Sequence, residues 1–121
     1  MAILTRDQIL SVNDRKTETI SVPEWGGDVL VSVMSGEQRD MYESLITEVD
    51  AAGRAKHKLD NLRAKLVSCS LVDEDGNLIF TPADVQQLGK KSASALQRVY
   101  EVATRINRTT EDQVEEAAKN C

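Results

Sequence analysis

The sequence predicts a single α+β domain that is mainly helical, with an N-terminal β-hairpin and a second, smaller hairpin. The length of 121 residues fits one domain with a core of its own. Apolar residues alternate with polar ones on both sides of an early glycine-rich turn, which is typical of paired strands. Later stretches repeat apolar residues every three or four positions, which indicates helices. Because aromatic residues make up only 3% of the chain, we expect an aliphatic core.

The first helix is predicted over about residues 6–11. Thr5 and Gln8 have the spacing of a capping box, in which the hydroxyl accepts from the Gln8 backbone N–H and the Gln8 side chain reaches back. Leu4 and Ile9 are placed to form a hydrophobic staple across this helix start.

A hairpin follows from Lys16 onward. Glu18, Ile20 and Val22 are predicted to face one way, and Val29, Val31 and Val33 alternate in the same manner after the turn. The connecting "PEWGGD" is a turn sequence, and its two glycines are predicted to supply positive φ angles. This turn holds the only tryptophan, Trp25. We expect it to close the open end of the hairpin against the helices, with an exposed anchor for a partner as the alternative.

The middle of the chain predicts two helices. Ser35 and Gln38 form a second capping box, which opens a helix over residues 36–49. Its apolar stripe consists of Met41, Tyr42, Leu45, Ile46 and Val49. A break is expected near residues 50–57, where Gly53 lies among polar residues, and apolar residues from Leu59 to Cys69 then recur at helical spacing. One long helix, with its stripe continued through Ala52 and Ala55, is the alternative.

The remaining chain predicts a small hairpin and three helices. "LVDEDGNLIF" indicates a hairpin around Asp73–Asn77. Pro82 suits the first position of a helix that Gly89 caps, and Ser94 can cap the next. The central packing is predicted to consist of Leu62, Leu66, Leu96, Val99 and Ala103.

A last helix over residues 109–121 is expected to attach loosely. Val114 is its only large aliphatic residue. Burying one valine contributes roughly 1.5–3 kcal/mol, whereas each ordered residue costs about 1–2 kcal/mol of backbone entropy.

Motifs for catalysis, cofactors or metals are missing from the sequence. His57 is the only histidine and lies in a charged segment, so the sequence does not favour a metal site or a catalytic triad that depends on histidine. The acidic turn fails as an EF-hand, because placing Gly76 sixth puts Leu71 first and Pro82 twelfth. We therefore expect no enzyme, cofactor or metal.

Charge and hydropathy favour a protein of the cytoplasm. The net charge of −5 argues mildly against nucleic-acid binding, since phosphates repel an acidic protein. No signal peptide is visible, and no run approaches the roughly 18 apolar residues of a membrane span. We therefore expect no membrane partner, and free thiols at Cys69 and Cys121.

Residues 82–106 also suggest a helix-turn-helix regulator as an alternative function. A helix, a glycine turn and a second helix with Ser94, Gln97 and Arg98 exposed imitate that DNA-binding motif. From Pro82 to Arg108, five basic residues stand against two acidic ones, a local charge of +3. A plain helical hairpin has the same apolar spacing and is the simpler interpretation.

Taken together, several segments resemble the tail assembly chaperones of long-tailed bacteriophages and prophages. The specific parts are "VPEWGG" with "SGEQRD", and "SLVDEDGNLIF" with "LGKKSASAL", in the same order as in that family. The similarity covers nearly the whole chain and is weakest over residues 47–58.

The resemblance implies a non-enzymatic assembly factor of the host bacterial cytoplasm that is absent from the mature virion. Such proteins bind the tape-measure protein and help to recruit tail-tube subunits, often through a longer form made by ribosomal frameshifting. Coating a long client also implies self-association. The partner-binding residues expected here are Trp25, Met34, Met41 and Ile46, because an apolar helical client requires accessible apolar side chains.

Overall fold

The computed structural model describes residues 2–107. The predicted C-terminal helix over residues 109–121 lies outside the described residues.

Helix α1, Arg6–Ser11, begins where the sequence predicts it. Both bonds of the capping box form: the Thr5 N–H donates to Gln8 Oε1 over 2.9 Å, and the Gln8 N–H donates to Thr5 Oγ1 over 3.3 Å. None of the residues of α1 is buried, and Leu4 and Ile9 of the predicted staple both remain exposed. The helix is thus held by its own cap rather than by packing on the domain.

The N-terminal hairpin is confirmed as two antiparallel strands, β1 (Thr17–Val22) and β2 (Gly27–Ser32). The predicted alternation holds in β1, whose even positions are the less exposed ones, ending in the buried Val22. A 3₁₀ turn, Pro23–Trp25, joins the strands. Gly26 has the predicted positive φ, at 76°, but Gly27 does not, because it already pairs with Val22 as the first residue of β2.

The second hairpin is also confirmed, although it is short. Strand β5, Leu71–Val72, pairs antiparallel with β2 and completes a three-stranded sheet in the order β1-β2-β5. The Asp73 N–H donates to the Asn77 carbonyl over 2.8 Å and closes the turn. A single bridge between Val72 and Leu78 then continues the pairing.

The predicted helix over residues 36–49 is too long. Helix α2, Gly36–Leu45, ends before a two-stranded sheet of β3 (Thr47–Val49) and β4 (Ala55–His57). The β-branched Thr47 and Val49 favour extended backbone, and Asp50 Oδ1 accepts from two turn N–H groups at 2.9 Å. Val49 is therefore exposed rather than part of the helical stripe, and the predicted break is the turn of a third hairpin.

The remaining helices differ from prediction mainly at their starts. Helix α3, Leu62–Ser68, begins only after Asn61, which has a φ of 52°. Pro82 opens a 3₁₀ turn, Pro82–Asp84, that leads into the single α-helical turn of α4, Val85–Leu88, capped by Gly89 as predicted.

Helix α5, Ala93–Asn107, starts earlier than the sequence indicates. The hydroxyl of Ser92, not of Ser94, accepts from the first turn, from the Ala95 N–H over 3.3 Å. Ser94 instead turns its hydroxyl towards the hairpin.

The core lies between the helices and one face of the three-stranded sheet. Of the five residues predicted to form its centre, Leu66, Leu96, Val99 and Ala103 are buried, and Leu62 packs against them from the edge. Tyr42 of α2 is fully buried as well, and Tyr100 of α5 also belongs to the core, so the core is mainly aliphatic with two tyrosine rings.

Candidate partner-binding surface

The turn end of the N-terminal hairpin forms one wall of a groove of about 620 Å³. Trp25 ends the 3₁₀ turn there and is half-buried, with one part of the indole packed against the core. Phe80 and Leu88 complete the apolar lining, and Asp84, Gln87, Lys90 and Lys91 form the polar rim. We call this the Trp25 groove.

Glu24 fixes the position of the hairpin turn against α5. Its carboxylate accepts from the Arg98 guanidinium and, over 2.9 Å, from the Ser94 hydroxyl. The bond from Arg98 is the main reason why the pKa of Glu24 falls from 4.5 to about 2. The indole next to Glu24 is therefore held by a charge-assisted clamp rather than left on a free loop.

The opposite wall is the short segment from Phe80 to Lys91. The Thr81 N–H donates to Asp84 Oδ2 over 2.8 Å, which caps the 3₁₀ turn. The Gly89 and Lys91 N–H groups then donate to the carbonyls of Val85 and Leu88 and turn the chain towards α5. Leu88 thus faces the groove from a segment whose backbone is tied at both ends.

The other predicted site residues do not line the Trp25 groove. Met41 lies half-buried on α2 against the core. Met34 and Ile46 belong to the core itself, with exposed fractions of 8% and 2%. Of the four predicted residues, Trp25 and Met41 therefore offer some surface in this conformation, whereas Met34 and Ile46 offer almost none.

The sequence reasoning missed Phe80 and the lysine pair as neighbours of Trp25. The sequence did hold one indication of Phe80, because this residue is the only phenylalanine and lies at the end of the predicted second hairpin. Its closeness to Trp25 depends on the pairing of β5 with β2, which brings the second hairpin beside the first.

The described residues contain no group of three or more potential metal ligands, and none of their helices is long and apolar enough to cross a bilayer. Cys69 is buried, and burial raises the pKa of its thiol, which makes it a weak nucleophile. A hydrogen bond from Lys65 lowers the pKa of Asp60, an ion pair that satisfies the buried ammonium.

The segment proposed as a helix-turn-helix is tied to the hairpin. Arg98 pairs with Glu24, and Arg105 pairs with Glu18 over 2.6 Å. Gln97 contacts Arg63 and donates to Glu101 over 3.1 Å. The side chains that would read a DNA groove are thus engaged within the chain, and the +3 count overstates the charge available to phosphate.

Comparisons with known proteins identify the family of the chain. The sequence model of the phage tail assembly chaperone family matches residues 6–120. The chain therefore belongs to the phage tail assembly chaperone family.

A solved structure supports the same fold. The bacteriophage HK97 tail assembly chaperone superimposes with a TM-score of 0.55 and 21% sequence identity, covering 80% of this chain and 88% of that chain. At this identity the likeness shows a shared fold alone. No curated protein gives a significant match to the chain.

Proposed function

We propose that this protein binds the tape-measure protein during phage tail assembly, keeps it from aggregating and helps to recruit tail-tube subunits around it. The observation that carries the proposal is membership of the tail assembly chaperone family over residues 6–120. The Trp25 groove is consistent with binding an apolar client, because Trp25, Phe80 and Leu88 give it an apolar lining.

The proposal includes the setting in which such binding takes place. The chaperone acts in the host bacterial cytoplasm and is absent from the mature virion. A longer form, made by frameshifting, contacts the tail-tube protein. Several copies self-associate along the client, since one small domain covers only a short part of a long helical protein.

Trp25 and Met41 are the predicted contact residues that a partner can reach at the surface of this conformation. Met34 and Ile46 contribute instead by packing in the core, where they hold together the elements that carry Trp25 and Met41. Met34 does so through its backbone N–H, which donates to Asn107 Oδ1 over 2.8 Å and joins the strand end to α5.

Co-expression with the tape-measure protein of the same phage tests the function. We expect a larger soluble fraction of tape-measure protein with this chain than with an unrelated acidic protein of similar size. Purification through a tag on the chaperone is expected to recover both proteins together. Equal solubility with and without the chaperone would contradict the proposal.

A DNA-binding measurement separates the proposal from the regulator alternative. Because Arg98 and Arg105 are paired with the hairpin, we expect no tight binding to duplex DNA. Tight binding that weakens steeply with added salt would favour the regulator.

A further inference from the structure

The rim of the Trp25 groove carries positive charge that the described part of the chain leaves unpaired. Lys90 and Lys91 are both exposed at the rim, and neither ammonium forms an ion pair within residues 2–107. The carboxylate on the rim, that of Asp84, is already used as a cap, because its Oδ2 accepts from the Thr81 N–H over 2.8 Å and from the Thr81 hydroxyl over 3.2 Å. The two lysines are therefore available to a negatively charged partner.

This unpaired charge differs from that of the other basic residues near the hairpin. Arg98 pairs with Glu24, beside Trp25, and Arg105 pairs with Glu18. The chain as a whole has a net charge of −5, so it repels an acidic partner in general. Attraction to carboxylates is thus a property of this groove and not of the whole chain.

The walls of the groove favour a helix over an extended segment as its occupant. The lining residues lie in two 3₁₀ turns, one helical turn and the loops between them, and none of them belongs to a strand. A partner therefore finds no sheet edge to extend here, and its own backbone must supply the hydrogen bonds that it needs. An amphipathic helix meets this condition, because its N–H and C=O groups pair within the helix.

We propose that the Trp25 groove takes a helix of the tape-measure protein whose apolar stripe is flanked by glutamate or aspartate side chains. The inference deepens the proposed function, on which it rests, by naming the chemistry of the client segment. The apolar stripe packs on Trp25, Phe80 and Leu88, and the carboxylates on its flank pair with the two lysines. A helix with a basic flank meets like charge at the same rim and is rejected.

Peptide titration, followed through the emission of Trp25 as the only tryptophan, tests this charge requirement. Two model helices without tryptophan have the same length and the same leucine stripe, and carry either glutamates or lysines along the flank. We expect a saturable blue shift with the glutamate peptide and an affinity about tenfold higher than for the lysine peptide, because two exposed ion pairs replace two like-charge contacts. Equal affinities, or no shift with either peptide, would overturn the inference.

Reversal of the rim charge separates a local contact from a general effect of charge. In the full chain with Lys90→Glu and Lys91→Glu, we expect the lysine peptide to bind more tightly than the glutamate peptide. The matched control is Lys16→Glu with Lys58→Glu, which changes the net charge equally at exposed lysines outside the groove and is expected to keep the wild-type preference.

The expected result is a switch of preference and not a loss of binding, so an unfolded variant cannot imitate it. Lys90→Gln with Lys91→Gln is a milder change and is expected to bind the two peptides equally. A wild-type preference in either rim variant, or a switch in the control, would contradict the assigned contact.

The same emission distinguishes two other occupants of the groove. An excess of Trp25→Phe chain, which does not emit, is expected to cause no shift without peptide, and a saturable shift would assign the groove to a second copy. Glu115→Gln with Glu116→Gln neutralises two acids of the chain after Asn107. We expect this variant to bind the glutamate peptide like the wild type, and a tenfold gain in affinity would assign the groove to that segment. Either shift or gain would rule out the client helix as its occupant.

Co-expression connects the groove with the client. Lys90→Glu with Lys91→Glu is expected to keep several-fold less tape-measure protein in solution than the Lys16→Glu and Lys58→Glu control. Equal amounts would show that the client uses another surface, which would refute the inference and leave the chaperone proposal intact. A wild-type chain that does not keep the tape-measure protein in solution would instead contradict the proposed function, whatever the peptide titrations show.

Discussion

At the scale of single residues, Trp25 shows how a large apolar side chain can occupy a turn. Pro23 starts the 3₁₀ turn, and Gly26 ends it with a φ of 76°, a value that costs glycine little. The turn aims the indole at the core on one side and the groove on the other. Part of the indole therefore packs against the core, as one interpretation of the sequence predicts, and part stays exposed at the groove; whether a partner contacts it stays a prediction.

Glu24 is expected to make the stability of the domain depend on acid pH. Its pKa is about 2 in the folded protein, against an ordinary value of 4.5, because Arg98 and Ser94 donate to the carboxylate. A lowered pKa means that the carboxylate stabilises the folded state above pH 4.5, and that this stabilisation is lost as the pH falls towards 2.

Urea unfolding at a series of pH values tests this expectation. Glu24→Gln is expected to unfold more easily than the wild type at neutral pH, and the difference is expected to shrink through the acid window. Glu74→Gln, in the exposed turn of the second hairpin, is the control for the loss of one negative charge. If Glu24→Gln loses the same amount of stability at every pH, the contact between Glu24 and Arg98 does not depend on the charge of the carboxylate.

Leu66 is expected to be a large single contributor to stability. The side chain is fully buried on α3 between neighbouring helices, so Leu66→Ala removes apolar contacts and leaves a cavity. The expected loss in the free energy of unfolding is about 2–5 kcal/mol. Leu59→Ala is the matched control, since Leu59 is 40% exposed, and thermal and urea unfolding compare the two. Similar losses for both variants would contradict the assigned packing.

At the scale of elements, the sequence predicts where α1 and α2 begin but not where α2 ends. A capping box marks a helix start by local hydrogen bonds, so the starts of α1 and α2 were predicted correctly. The end of α2 was predicted too late, because Ile46 and Val49 continue the spacing of a helical stripe. In the structure the chain leaves the helix there, since β3 pairs with β4 and Asp50 forms the turn between them.

Deleting residues 2–11 is expected to leave the stability of the domain nearly unchanged. Because α1 buries none of its residues, the free energy of unfolding is expected to change by less than about 0.5 kcal/mol, as for surface substitutions. The measurement is made at a low concentration, where association does not add stability. A marked drop in melting temperature would show that α1 packs on its own domain in solution.

At the scale of the whole molecule, side-chain contacts hold the three-stranded sheet and α5 together as one frame. Two ion pairs join the hairpin to α5, from Glu24 to Arg98 and from Glu18 to Arg105, and Asn107 binds the end of the same hairpin through Met34. The Trp25 groove lies where this frame meets the segment from Phe80 to Lys91. The hairpin wall of the groove is therefore held against α5 by contacts between residues that are distant in the sequence.

The sequence by itself determined the α+β class, the two capped helix starts, both predicted hairpins and the family resemblance. These features depend on near neighbours in the chain: caps, turn glycines, and apolar spacing of two or of three and four residues. Tertiary structure alone decided that Ile46 and Met34 are buried, that Phe80 lies beside Trp25, and that Arg98 faces the hairpin. Each of these contacts joins residues distant in the sequence. Apolar spacing marks a side chain for burial or for a partner alike, and only the packing of the other elements decides between them.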